Sequence, residues 1–252
     1  MKRSRWAVCF ALAGTLIVAV AVCAQDAPGA SDEVAAELAA VAAWEAAPEY
    51  AAATPNPATR GVQDTVYFSN FDSDDGGLVG TIDWEWGTSY SWTGVGCYNT
   101  SYHQPPAPYS GAGMWGTILN TCYTDQGNNA GYATCVNTNP SDDSILTLTV
   151  DLTNYTAATL SWYEWYDLFS GFDWGELRIN GAQAFVDCRS SYIAPTSWVL
   201  RTVDLASYLG GVATIEWHMM SSTVVNYAGW YLDDVLVEGT PVPVELQSLS
   251  ID

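Results

Sequence analysis

From Val66 to Glu238 the chain consists of short alternating runs rich in Val, Ile, Thr, Tyr and Trp, divided by Gly, Asn, Asp and Pro. Alternation of this kind places every second side chain on one face of a strand, so the pattern commits the chain to an all-β fold. Strands are expected at Val66 to Asn70, Ile145 to Leu152, Thr159 to Tyr166, Glu176 to Ile179, Trp198 to Asp204, Ala213 to Met219 and Trp230 to Glu238. Asn180 and Gly181 tolerate positive φ and predict a tight hairpin after Leu177. About 175 residues of this texture suffice for one two-sheet core.

An internal echo sharpens the architecture. Val150-Asp151-Leu152, then Tyr155, leads into Leu160 and Trp162; Val203-Asp204-Leu205, then Tyr208, leads into Ile215 and Trp217. Each reads as strand, corner, strand, with Leu and Tyr turned inward, which is how a jelly-roll chain crosses between its sheets.

Ahead of this region, Lys2, Arg3 and Arg5 precede an apolar run from Trp6 to Cys23, with small residues before Gln25. Residues 1–24 are therefore expected to be a signal peptide, and residues 25–62 an Ala/Pro-rich linker or spacer helix. Residues 63–240 form the sandwich, and residues 241–252 a linker or the start of another domain. The full chain carries 28 acidic and 7 basic residues, for a net charge of −21. Removing the leader takes three of those bases and no acid. Such a surface repels nucleic acid and anionic membranes, so neither binding partner nor membrane insertion of the mature domain is expected.

Cys97, Cys122, Cys135 and Cys188 follow the leader, and an even count in an exported chain favours two disulfides. Three pairings are open. The Gly/Asn-rich turn at Gly127 to Asn129 favours Cys122 with Cys135, leaving Cys97 with Cys188. No Cys-x-x-Cys spacing accompanies His103 or His218, which argues against an ordinary zinc site.

Asp233 and Asp234 interrupt the apolar run Trp230 to Val237. Charge within a strand is costly unless it is compensated, so the pair either marks a kink facing solvent or holds a cation. Asp72, Asp74 and Asp75, followed by Gly76-Gly77, form a second acidic element just after the first strand. In a jelly roll the first and last strands commonly lie close, so these five aspartates are the candidate Ca²⁺ ligands.

The ordered set Phe71-Asp72-Ser73, Asp83 to Thr88, Ser110-Gly111, Trp115-Gly116-Thr117, the two Val-Asp-Leu corners, Trp162-Tyr163, Asp173 to Ile179 and Gly229 to Val235 resembles the MAM-like, choice-of-anchor J jelly-roll domains of secreted bacterial proteins. Such domains are also found with immune-inhibitor-A-type metallopeptidases. The resemblance implies a jelly roll, calcium in some members, and work beside other domains at a cell surface. His-Glu-x-x-His is absent, so peptidase chemistry does not carry over. Thr124 to Ser144 looks like an insertion relative to the family.

Two other chemistries are weighed against this. Trp165, Phe172 and Trp174 are candidate ligand-binding aromatics, suited to stacking on sugars if displayed. Glu164 and Glu176 are acids of the type a glycosidase pairs, but no motif fixes them together. The sequence thus predicts a secreted or cell-surface, non-catalytic, calcium-stabilised module for adhesion or display, its partners a glycan or surface protein and other domains of a longer protein. A carbohydrate-binding module is the alternative, and a glycoside hydrolase a more distant one.

Overall fold

The computed structural model describes residues 63–88, 91–95, 97, 103–127, 143–169, 171–187, 197–223 and 225–243. The expected leader and spacer lie outside these residues, as do residues 244–252 of the closing segment, Cys135 and Cys188.

Eleven strands occur among the described residues: β1 (Asp64–Ser69), β2 (Val79–Gly80), β3 (Trp84–Gly87), β4 (Met114–Thr117), β5 (Ser144–Asp151), β6 (Tyr155–Asp167), β7 (Trp174–Ile179), β8 (Ala182–Asp187), β9 (Val199–Asp204), β10 (Val212–Met220) and β11 (Gly229–Pro241). They form two antiparallel sheets. One runs β3-β4-β11-β6-β9 with β1 also paired to β11, and the other runs β2-β5-β10-β7-β8. This is the expected jelly-roll-like sandwich.

Alternation builds the core. Leu160 and Trp162 of β6 point inward with Leu232, Val235 and Val237 of β11, meeting Leu146, Leu148, Ile215 and Trp217 of the other sheet. The Trp162 and Trp217 rings meet edge-on at 5.8 Å, joining the sheets at their centre. Each such buried side chain contributes roughly 1.5–3 kcal/mol of transfer energy.

Both expected corners cross between sheets. β5 passes to β6 through Leu152, and β9 passes to β10 through Leu205, both fully buried. Asp151 accepts the Thr153 amide at 2.9 Å and Asp204 the Ala206 amide at 2.8 Å, fixing each turn through the short side chain that the Val-Asp-Leu repeat supplies. The two corners also bind each other, since Leu152 N donates to Gly211 O and Gly210 N to Leu152 O. Asn180 (φ 51°) and Gly181 (φ 76°) make the expected hairpin between β7 and β8.

β11 organises one whole sheet. Its 231–232 segment pairs with β4 and its 235–239 segment with β1, both along the same edge, while β6 lines the other. Asp233 pairs with Tyr163 and Leu236 with Ser161, so β11 has one residue more than β6 over this step. The extra residue is accommodated by a bulge in which Asp234 has φ 47°.

One disulfide joins Cys97 to Cys122, with Cα atoms 5.2 Å apart. This corrects both expected pairings. Thr93 N donates to Asn120 O at 2.9 Å and lays the 93–97 segment along residues 119–122, so proximity arises from a long-range contact and not from the turn after Cys122.

Candidate functional site

Residues 103–113, His-Gln-Pro-Pro-Ala-Pro-Tyr-Ser-Gly-Ala-Gly, form a strap across the outer face of the β11-containing sheet, held at successive points. The His103 amide donates to Asp167 Oδ2 at 2.6 Å, and Trp198 Nε1 donates to Ala107 O at 2.9 Å. Tyr109 stacks on Tyr163 of β6 with ring centres 3.5 Å apart. Ser110 N donates to Asp233 Oδ2 at 3.1 Å and Ser110 Oγ to Asp234 Oδ1 at 2.7 Å. The Ala112 and Gly113 amides both donate to Asp72 Oδ1.

Backbone approach here is close. A Cβ on Gly113 would sit 1.8 Å from Phe71 O, and one on Gly111 would overlap the Asp72 carboxylate. Only glycine fits at either position.

Three of the five expected calcium ligands therefore gather on one loop. Asp233 is fully buried and Asp234 half-buried, so the adjacent acids form both a kink and a buried charge. Burial lifts the Asp233 carboxyl to about 7 despite the opposing pull of the Ser110 and Asp234 amides. Asp74 and Asp75 lie elsewhere: their carboxylates accept the Gly76 and Gly77 amides at 2.9 and 2.8 Å and shape their own turn. Among the described residues no three His, Cys, Asp or Glu side chains converge as a metal cage. The oxygens of Asp72 and Asp233 are met by backbone N–H donors.

The expected sugar-stacking aromatics are corrected. Trp165, Phe172 and Trp174 are all at least 97% buried, since their exposures are 2%, 3% and 1%. Trp165 does face outward from the main core, as its alternation with Trp162 requires, but Met114, Leu119 and Tyr231 cover it, with Trp92 and Trp198 beside them. Phe172 stacks on Phe169 at 4.6 Å at one end of the sandwich. Among the described residues two large aromatic rings are exposed, Phe68 of β1 at 55% and Tyr109 at 43%, and Tyr109 sits in a loop that strand alternation does not read.

Glu164 and Glu176 do not form a pair. They lie on β6 and β7, in different sheets. Glu164 Oε2 accepts the indole N–H groups of Trp162 and Trp230 at 2.9 and 3.0 Å, and Oε1 accepts Arg201 Nε at 2.6 Å. The cavity that Glu164 lines together with Tyr166, Leu168, Gly175 and Trp230 has room for one water molecule at most. Glu176 is bonded by Arg178 and by Gln183 Nε2 at 2.6 Å.

A second polar cluster fills one end of the sandwich. Asp173, fully buried, accepts the Tyr123 hydroxyl and the Ser222 amide, and burial raises its carboxyl to about 7. Asp83 accepts the Thr124 amide at 2.8 Å, and burial raises it too. Neither residue was singled out by spacing, because each depends on loops brought together only in the fold.

No protein-family model and no curated protein matches the chain. Among solved structures it is similar to the CBM22-1 xylan-binding domain from Paenibacillus barcinonensis Xyn10C, at 14% identity over 73% of this chain and 100% of that one, with a TM-score of 0.37. It is also similar to the K3 cleaved adhesin domain of Lys-gingipain from Porphyromonas gingivalis w83, at 16% identity over 69% and 99% of the two chains, TM-score 0.34. A Stig cyclase, Fisc from Fischerella sp. TAU, gives 17% identity over 71% and 100%, TM-score 0.40. At these values the likenesses carry no argument about activity. Among the described residues no helix is long and apolar enough to cross a membrane.

Proposed function

We propose that the chain is a secreted, non-catalytic β-sandwich module for adhesion or display at a cell surface, working beside other domains. The observation that supports this best is the engagement of its inner carboxylates. Glu164, one of the two acids a glycosidase reading would use, is bonded by two indoles and a guanidinium, and Glu176 is bonded in the opposite sheet. A general acid must reach the atom it protonates, and both carboxylates are buried, beside at most a cavity of about one water molecule.

Calcium stabilisation belongs to the same proposal and is confined to Asp72, Asp233 and Asp234, which share the 110–113 segment. The MAM-like resemblance rests on the motifs quoted above. The test is adhesion of the purified secreted chain to cells and isolated envelope, measured alongside hydrolysis of a glycan panel. Binding without hydrolysis supports the reading; hydrolysis that disappears in Glu164→Gln overturns it.

Carbohydrate binding is a second reading, favoured by one observation: an exposed aromatic ring held rigidly on the outer face of a sheet.

A further inference from the structure

Tyr109 combines exposure with a ring stacked on a second ring, whereas Phe68, the other exposed large aromatic among the described residues, lies on β1 opposite Leu236. Its ring is backed face to face by Tyr163, and its backbone is pinned on one side by Trp198 through Ala107 and on the other by Ser110 through Asp233 and Asp234. Pro105, Pro106 and Pro108 stiffen the approach. A ring held in place before binding loses little conformational freedom when a ligand arrives. Leu200, the β9 residue in register with Tyr163, is 52% exposed and extends the apolar surface across the sheet. At the rim stand the half-exposed Asp234 carboxylate, which accepts the Ser110 hydroxyl, and the Tyr109 phenol. That phenol is raised first by its hydrogen bond to Tyr163 and further by the nearby charges of Asp234 and Asp233.

A flat apolar ring bordered by acceptors matches a ligand with a C–H face and hydroxyl edges. We propose that Tyr109, backed by Tyr163 and flanked by Leu200, is the stacking platform of a saccharide site that takes an uncharged pyranose with equatorial substituents. The equatorial arrangement leaves a flat face of axial C–H bonds for the ring, and hydroxyls at the edge donate to Asp234. Anionic sugars are excluded by that carboxylate and by the chain's net charge of −21. This inference rests on the reading of the chain as a binding module and names the site that the second reading needs.

The test is an NMR titration of the secreted chain with cellopentaose, chitopentaose and polygalacturonate, comparing wild type, Tyr109→Ala and Tyr109→Phe. An uncharged oligosaccharide is expected to shift resonances of residues 107–111, Tyr163 and Leu200. Tyr109→Ala should weaken binding at least tenfold and Tyr109→Phe much less; Tyr109→Phe keeps the stack on Tyr163 and the wild-type melting temperature, and Tyr109→Ala melts lower by the loss of that stack but remains folded by circular dichroism. Preference for polygalacturonate, unchanged affinity in Tyr109→Ala, or no response to either neutral sugar overturns the proposal. Adhesion retained in the absence of any sugar response would reject this site while leaving the module reading intact; loss of adhesion as well would reject both.

Discussion

Arg201 on β9 donates its Nε to Glu164 on β6 at 2.6 Å, and its guanidinium lies 5.3 Å from the centre of the Phe185 ring on β8, so one side chain ties the edges of the two sheets together. Removing it takes away the cation that faces the buried Glu164 carboxylate. Arg201→Leu should cost about 3–5 kcal/mol, the range for breaking a buried ion pair from one side. Adding Glu164→Gln should recover part of that loss by removing the uncompensated charge, and urea denaturation of the single and double variants measures both.

Asp173 makes stability depend on pH in an unusual direction. Its folded carboxyl titrates near 7, above the 3.8 of an unperturbed aspartate, because burial opposes the charged form. The folded state then holds more protons than the unfolded state between about pH 4 and 7, so this residue's contribution falls as pH rises through that window and is level above it. Asp173→Asn should therefore gain on wild type by up to about 4 kcal/mol from pH 4 to pH 7.5, taking about 1.4 kcal/mol per pH unit. A constant difference between the two proteins across that range would refute the assignment.

Peptide mapping without reduction should recover Cys97 linked to Cys122. Replacing both with serine should lower stability by about 2–4 kcal/mol, as expected for a cross-link closing a loop of this size. Recovery of a Cys122–Cys135 peptide instead would contradict the fold around residues 93–97.

Millimolar calcium is expected to raise the melting temperature relative to chelator, and Asp72→Ala or Asp234→Ala should abolish the increase while Asp74→Ala leaves it. A flat response to calcium removes the ion from the proposal, leaving the amides of Ser110, Ala112 and Gly113 as the whole link.

The strands and corners were legible because their signals are local. Val150-Asp151-Leu152 and Val203-Asp204-Leu205 carry a buried leucine and a turn-forming aspartate within three residues, so their roles survive in any compatible packing. β2, β3 and β4 escaped as strands because they are only two to four residues long, too short to display alternation. Alternation in β6 separated Trp162 from Trp165, but it says nothing about what covers the second face. That cover comes from Met114 and Tyr231, together with a strap some fifty residues upstream in sequence. The same long-range contacts made Cys97–Cys122 unreadable and hid Tyr109 in a stretch that looks like a connector. Asp233-Asp234 stood out as an anomaly, and the expected kink is present at Asp234, with Asp233 buried beneath it; what spacing did not show was the loop whose amide and hydroxyl meet them.

Asp64 lies opposite Gly239, so the polypeptide enters and leaves the sandwich side by side. A load applied between these points peels β1 from β11 one rung at a time instead of shearing all rungs together, which is the weaker mechanical geometry. Peeling would reach Ser69 and then meet Asp72, whose carboxylate holds the Ala112 and Gly113 amides. The aspartate clamp thus acts as a brake on unzipping, placed where the paired edge ends and the folded interior begins.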